Sequence, residues 1–151
     1  MAYEEKYMKK TLLLAQKAYE LDEVPVGAVI VQDGKIISSA YNKRECTNDA
    51  TAHAEILAIR KVCKKIGDFR LIDCDIYVSL EPCVMCMGAI LNSRVSNLYF
   101  GAYISNGSIS SFEICEKSEL NHKTNIEGGF LKDECSGIIS KYFREKRKKD
   151  K

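Results

Sequence analysis

The sequence predicts an α/β fold: a three-layer α/β/α arrangement around a central mixed five-stranded sheet. Three observations lead there. Windows with apolar residues at helical spacing alternate with short apolar, β-branched runs, so helices and strands interleave along the chain. Asp33-Gly34 lies between two such runs and is a strong two-residue hairpin signal. Repeats, long linkers and low-complexity stretches are absent apart from a basic C-terminal tail, so one continuous domain over residues 1–151 is expected.

Each element follows from local pattern. An amphipathic helix is predicted near Tyr3 to Glu20, with Leu12, Leu13, Ala15 and Tyr19 among its apolar positions, and Pro25 falls in the break after it. Strands at Val26–Val31 and Ile36–Ala40 flank the Asp33-Gly34 turn. A polar loop over 42–50 precedes a helix near 52–65, a strand at Ile76–Ser79 and a helix near 83–92. Another strand is expected at Leu98–Ala102. The segment 103–120 is ambiguous; after it a short strand at Thr124–Ile126 leads into a helix from about Leu131 to Arg147. This alternation places helices on both faces of the sheet.

Composition bounds the function classes. At 151 residues and 46% hydrophobic, the chain can bury about 70% of its unfolded surface without needing disulfides. No signal-like segment and no run of 18 apolar residues is present, so a soluble cytoplasmic protein without membrane partners is expected. Its seven cysteines are then expected to be reduced thiols. Residues 144–151 carry six basic and two acidic side chains, a net +4, which leaves −2 for the remainder of a chain of net +2. That basic tail has two readings: a solvated helix end whose cations complement the helix dipole, or a phosphate-binding patch beside Tyr142 and Phe143.

The chemistry concentrates in His53-Ala54-Glu55 and Pro82-Cys83-Val84-Met85-Cys86. His53, Cys83 and Cys86 are three soft ligands for zinc, and three rather than four protein ligands describe a catalytic site with an open position. Cys83 and Cys86 lie on one side of a first helical turn that Pro82 is suited to start, where the helix N-terminus favours thiolates. His53 and Glu55, two apart, point to different sides of a helix. Both serve one site only if it sits over the helix end, for which Asp49 and Thr51 are candidate caps. Two helix N-termini aimed at one zinc ion follow. Such an ion lowers the pKa of water from 15.7 to about 7, and Glu55 is the candidate proton carrier between water, a ring nitrogen and a leaving amine.

A lone C-x-x-C is weak, being equally a redox pair, and a lone histidine before a helix is commonly a packing residue. The combination with Glu55 and Pro82 is specific. Cys63 and Cys74 are candidates for a fourth ligand, but their positions in an apolar helix pattern and before a strand read as buried, inert thiols.

H-x-E followed by P-C-x-x-C is the signature of zinc nucleobase deaminases. The chain resembles, more closely, the bacterial tRNA-specific adenosine deaminases. Val24-Pro25-Val26-Gly27-Ala28-Val29, Thr51-Ala52-His53-Ala54-Glu55-Ile56 and Leu80-Glu81-Pro82-Cys83-Val84-Met85-Cys86 carry the resemblance. It continues through Ser93-Arg94, Phe100-Gly101-Ala102, Asn121-His122-Lys123 and Asp133-Glu134-Cys135, nearly the whole chain.

The resemblance implies a cytidine deaminase-like fold, one zinc ion per subunit on His53, Cys83 and Cys86, and proton transfer by Glu55. It implies that Asn42 contacts the base, although an ordinary turn asparagine is the alternative on local sequence. The Ala54 N–H, at a helix N-terminus, is a candidate for the substrate's polar edge. Phe143, Arg144 and Arg147 become candidate RNA contacts, the tRNA anticodon loop the expected partner, and a homodimer the expected assembly. Met85, Met87, Ile90 and Leu91 exceed what one helix face needs, which fits either an interface or simple burial.

Two departures stand out. Tyr103-Ile104-Ser105-Asn106-Gly107-Ser108-Ile109 replaces a family segment with an acidic residue followed by lysine and glycine, and Ile104 takes the acidic position. Asp49-Ala50 replaces the usual Asp-Pro. Ile104 keeps open a deaminase of a free nucleobase or nucleoside of the guanine or cytosine type. A zinc-stabilised binding module is a third reading that leaves Glu55 unexplained.

Overall fold

A computed structural model describes residues 2–104, 113 and 122–149. Helix α1, Glu5–Glu20, buries Tyr7, Met8, Thr11, Leu14, Ala15 and Ala18, a stripe repeating at three and four residues. Leu13, one of the apolar positions of the predicted helix, falls one position off that stripe and is 63% exposed. The helix ends in a turn at Asp22, which adopts φ 58°.

Strands β1 (Gly27–Gln32) and β2 (Lys35–Tyr41) form the predicted hairpin. Asp33 and Gly34 have φ of 52° and 73°, the left-handed pair that a two-residue primed turn requires. The register slips between Ile30 and Val31, which pair with Ser38 and Ile36, so β2 carries a bulge that adds to its twist. The loop expected at 42–50 contains a short helix α2, Arg44–Thr47.

Helix α3, Ala54–Ile66, is followed by β3, Cys74–Leu80, then α4, Val84–Asn92, and β4, Asn97–Ala102. Strand β5, Asn125–Glu127, and helix α5, Lys132–Lys149, complete the described chain. The ambiguous segment of the sequence falls largely on residues 105–112 and 114–121, outside the described residues. The five strands are ordered β2-β1-β3-β4-β5, antiparallel on either side of β1 and parallel from β3 to β5, so the sheet is mixed.

Alternation along the strands separates two apolar layers. Ala28, Ile30, Ile76, Val78, Leu98 and Phe100 pack with Ala58, Val62, Met87 and Ile90 of α3 and α4. Val29, Val31, Tyr77 and Tyr99 face the other way, against Tyr7, Met8 and Leu14 of α1 and Cys135 of α5. Because successive strand residues point to opposite faces, both sides of this sheet are apolar and both require a helical cover. Gly27 lets α1 approach: a Cβ there would overlap the Thr11 carbonyl oxygen and the Leu14 side chain. No helix among the described residues is long and apolar enough to cross a membrane.

Candidate metal centre and pocket

His53 and Cys83 are the N-cap residues of α3 and α4, each in extended backbone conformation (φ −72°, ψ 154° and φ −71°, ψ 175°). The helices therefore begin one or two residues later than the sequence pattern suggested. Asp49 and Thr51 do not cap α3: the Asp49 carboxylate accepts the Thr51 N–H and hydroxyl, closing a local turn. Pro82 likewise stands before the N-cap, where its fixed φ guides the chain leaving β3 into the helix. Placing ligands at the caps, rather than on flanks, turns two side chains over two helix ends.

The His53 Nδ1 lies 3.7 Å from the Cys83 Sγ and 3.5 Å from the Cys86 Sγ. A tetrahedral ion with Zn–N near 2.0–2.1 Å and Zn–S near 2.3 Å requires N···S separations of about 3.6 Å. All three donor atoms lie within 4.8 Å of one another, and they are the one such group among the described residues. The donor set thus fits zinc and leaves one position of a tetrahedron open. Hydrogen bonds from Cys86 and from His53 hold the Cys83 thiol far below its ordinary value, at about 3. The proton shared with Cys83 in turn raises Cys86.

Glu55, second residue of α3, is 3% exposed. Burial holds its carboxyl above the ordinary value, against the opposing pull of its own backbone N–H and of His53. Ala54 places its N–H in the first turn, where no carbonyl of the same helix reaches it. Cys63 and Cys74 stay outside the ligand set; burial pushes the Cys74 thiol up to about 11 and also raises Cys63.

A cavity of about 240 Å³ opens over these groups. It is smaller than the roughly 300–1,000 Å³ typical of drug-sized ligands, so it suits one ring system. Val24, Val26, Leu80 and Ile104 supply apolar walls, and Asn42, Arg44, Glu81 and Phe143 the remainder. The buried Asn42 amide donates from Nδ2 to the Val24 carbonyl at 3.1 Å and accepts the Arg44 N–H at Oδ1, 3.1 Å. One amide hydrogen and one lone pair are left for a ligand.

Sequence reasoning missed the groups behind these walls. Glu23, fully buried, accepts the Glu45 N–H at 2.9 Å and the Cys46 N–H at 2.8 Å, so one carboxylate holds the first turn of α2 and fixes Arg44 beside Asn42. Glu81 accepts the Ile104 N–H at 3.2 Å and ties that residue to the end of β3. A charged residue directly before an apolar Val24-Pro25 or before Pro82-Cys83 was the available signal.

Phe143 reaches the pocket while remaining 42% exposed. Its helix is held by Tyr142, whose hydroxyl donates to the Asp22 carbonyl at 3.1 Å, and by Lys146 on the Asp22 carboxylate at 3.2 Å. Arg144 and Arg147 are exposed on the same helix and do not line the cavity. Of the residues predicted for the site, His53, Ala54, Glu55, Cys83, Cys86, Asn42 and Phe143 converge, and the two arginines stand outside.

This arrangement can be set against known proteins. The sequence pattern of the "cytidine and deoxycytidylate deaminase zinc-binding region" matches residues 1–102. The tRNA-specific adenosine deaminase of Bacillus subtilis (strain 168) is 44% identical, over 100% of this chain and 95% of that protein. That of Haemophilus influenzae is 43% identical, over 99% and 88%. A solved structure from a study of A-to-I editing by tRNA:A34 deaminases superposes with a TM-score of 0.84 at 39% identity, covering 89% of this chain and 99% of the other. A zinc-binding region matched over residues 1–102 and similarity over the full length place the chain in the cytidine and deoxycytidylate deaminase zinc-binding family, in its tRNA-specific adenosine deaminase branch.

Proposed function

We propose that this chain hydrolyses adenosine to inosine at the wobble position of a tRNA anticodon, acting on a base flipped out of a single-stranded loop. The observation that carries the reading is Glu55, a buried carboxylate set beside a three-donor zinc site in a pocket sized for one ring system.

His53, Cys83 and Cys86 would hold one zinc ion per subunit. Bound there, the ion supplies a Lewis acid that brings the pKa of water from 15.7 to about 7. Glu55 takes a proton from the attacking water and passes it to the purine N1 as the oxygen adds to C6, then takes the proton of the new C6 hydroxyl and gives it to the amine, which leaves as the C6–N bond breaks. Water and adenosine become inosine and ammonia. The free donor and acceptor of Asn42 read the base edge, and the Ala54 N–H meets the substrate's polar edge. Phe143 stacks a neighbouring base while Arg144 and Arg147, further along α5, meet phosphates.

The same reading takes residues 1–151 as one catalytic domain working in the cytoplasm as a homodimer. Val84 and Met85, 60% and 37% exposed beside the site, support the last point as apolar surface on α4. Met87, Ile90 and Leu91 are satisfied within the chain's own core. A second reading, a deaminase of a free guanine or cytosine base or nucleoside, draws on Ile104, which faces the pocket where the resemblance calls for an acidic group.

The test offers purified, zinc-loaded protein an anticodon stem-loop with wobble adenosine, alongside a panel of free bases and nucleosides. Inosine in the RNA alone is expected. Turnover of a free base with none in the RNA would overturn the tRNA reading in favour of the second.

A further inference from the structure

Strand β2 forms an outer edge of the sheet, and its last residue, Tyr41, directly precedes Asn42 in the pocket wall. A groove of about 330 Å³ runs beside this edge, lined by Ser38, Ser39, Lys61 and Lys65 together with Ile36 and Ile37. The Lys61 ammonium donates to the Ser39 carbonyl at 2.9 Å, covering an edge group that no neighbouring strand satisfies. Lys65 follows one turn later on the same face of α3. Nearer the pocket, the Lys43 ammonium sits 5.1 Å from the centre of the Tyr41 ring, and Arg44 lines the pocket itself.

These cations form one connected path. Burial and the charge of Lys43 together hold the Lys61 ammonium below its ordinary value, so the two lysines are near enough to repel. Among the described residues no carboxylate forms an ion pair with Lys43, Arg44, Lys61 or Lys65. Clustered cations that no ion pair engages are unfavourable together in the free protein and become favourable against a polyanion, with release of its counterions. A base flipped into the pocket leaves strand on both its 5′ and 3′ sides, and the cations of α5 can serve only one of them.

We propose that Lys43, Lys61 and Lys65 are a phosphate track that leads one single-stranded flank of the RNA from the pocket along the outer edge of β2. The track rests on the RNA substrate proposed above. It contacts backbone only, so it supplies affinity and register without reading sequence.

The experiment compares wild-type protein with Lys43→Gln/Lys61→Gln/Lys65→Gln on the anticodon stem-loop, measuring KM, kcat and affinity over a range of salt concentrations. The expected result is a KM raised about tenfold at low salt, a kcat within about twofold of wild type, and a slope of log affinity against log salt smaller by about 2, near 0.7 for each lost contact to a single strand. Because Lys61 also covers the β2 edge, Lys43→Gln/Lys65→Gln repeats the test with that bond intact and should lose about 1.4 from the slope. Unchanged KM and slope in both variants of an RNA-active enzyme would overturn the track and leave the proposed function standing. A wild-type protein inactive on the RNA would remove the function itself, and the track with it.

Discussion

Replacing Glu55 with Gln separates zinc binding from proton transfer. The amide is isosteric with the carboxyl, and the three donors on His53, Cys83 and Cys86 are untouched, so the metal site should persist. What disappears is the group that moves the proton. A positioned general acid–base contributes roughly 10²–10⁴ in rate, which corresponds to about 3–5 kcal/mol of barrier at 1.36 kcal/mol per decade. The upper half of that range is expected here. Glu55 is 97% removed from solvent, so bulk water reaches the position poorly as a substitute. The transfers to the purine N1 and to the leaving amine also both pass through the same carboxylate. The assay is single-turnover inosine formation on the stem-loop, read by chromatography after nuclease digestion, with zinc content by mass spectrometry and RNA affinity measured in parallel. A fall in rate of about a thousandfold or more, with one zinc per subunit and near wild-type affinity, is expected. Turnover within tenfold of wild type would refute the proton-carrier role, and loss of zinc would show that Glu55 is a ligand instead.

Glu23→Ala should free the first turn of α2 and let Arg44 and Asn42 drift, raising KM for the stem-loop several-fold more than it lowers kcat; the steady-state split between the two parameters checks this, since two part-buried N–H groups lose the carboxylate that fixes them. Gly27→Ala should destabilise the protein by at least about 1–3 kcal/mol, visible as a lowered urea midpoint, because the added methyl meets α1 backbone that cannot yield like a side-chain end. Thiol labelling at pH 8 should reach the exposed Cys46 while sparing Cys74 and Cys135. Burial holds those two at about 11, so the thiolate is only about 10⁻³ of each at pH 8 and increases as pH rises towards that value; peptide mapping of a folded sample would show their modification only after denaturant is added.

The three candidate donors and the candidate proton carrier, which the structure brings together, were legible because their spacing is local. His53 and Glu55 share one helix start, Cys83 and Cys86 another, and the side chains each metal site needs are restricted to a few types. The Asp33-Gly34 turn was legible for the same reason: its two left-handed residues favour a narrow choice. The exposure of Leu13 was not legible, because several registers of an amphipathic stripe fit one apolar segment and only contact with β1 and β3 selects among them. Helix starts were misjudged by one or two residues because N-cap preference ordinarily favours Ser, Thr, Asp or Asn, whereas here the caps are His53 and Cys83, two of the candidate metal ligands.

By itself the sequence determined the alternation of elements, the two apolar faces of the sheet and the chemistry of the three donors and one carboxylate. Tertiary structure alone decided which distant groups share the pocket. Glu23 meets Glu45 and Cys46, Glu81 meets Ile104, and Phe143 arrives on a helix held by Asp22, contacts between residues separated by about twenty to more than a hundred positions. A periodic pattern records which face of an element is buried, but not which other element covers it. Sheet order and helix packing settle that, and with it the walls that decide what the zinc site can hold.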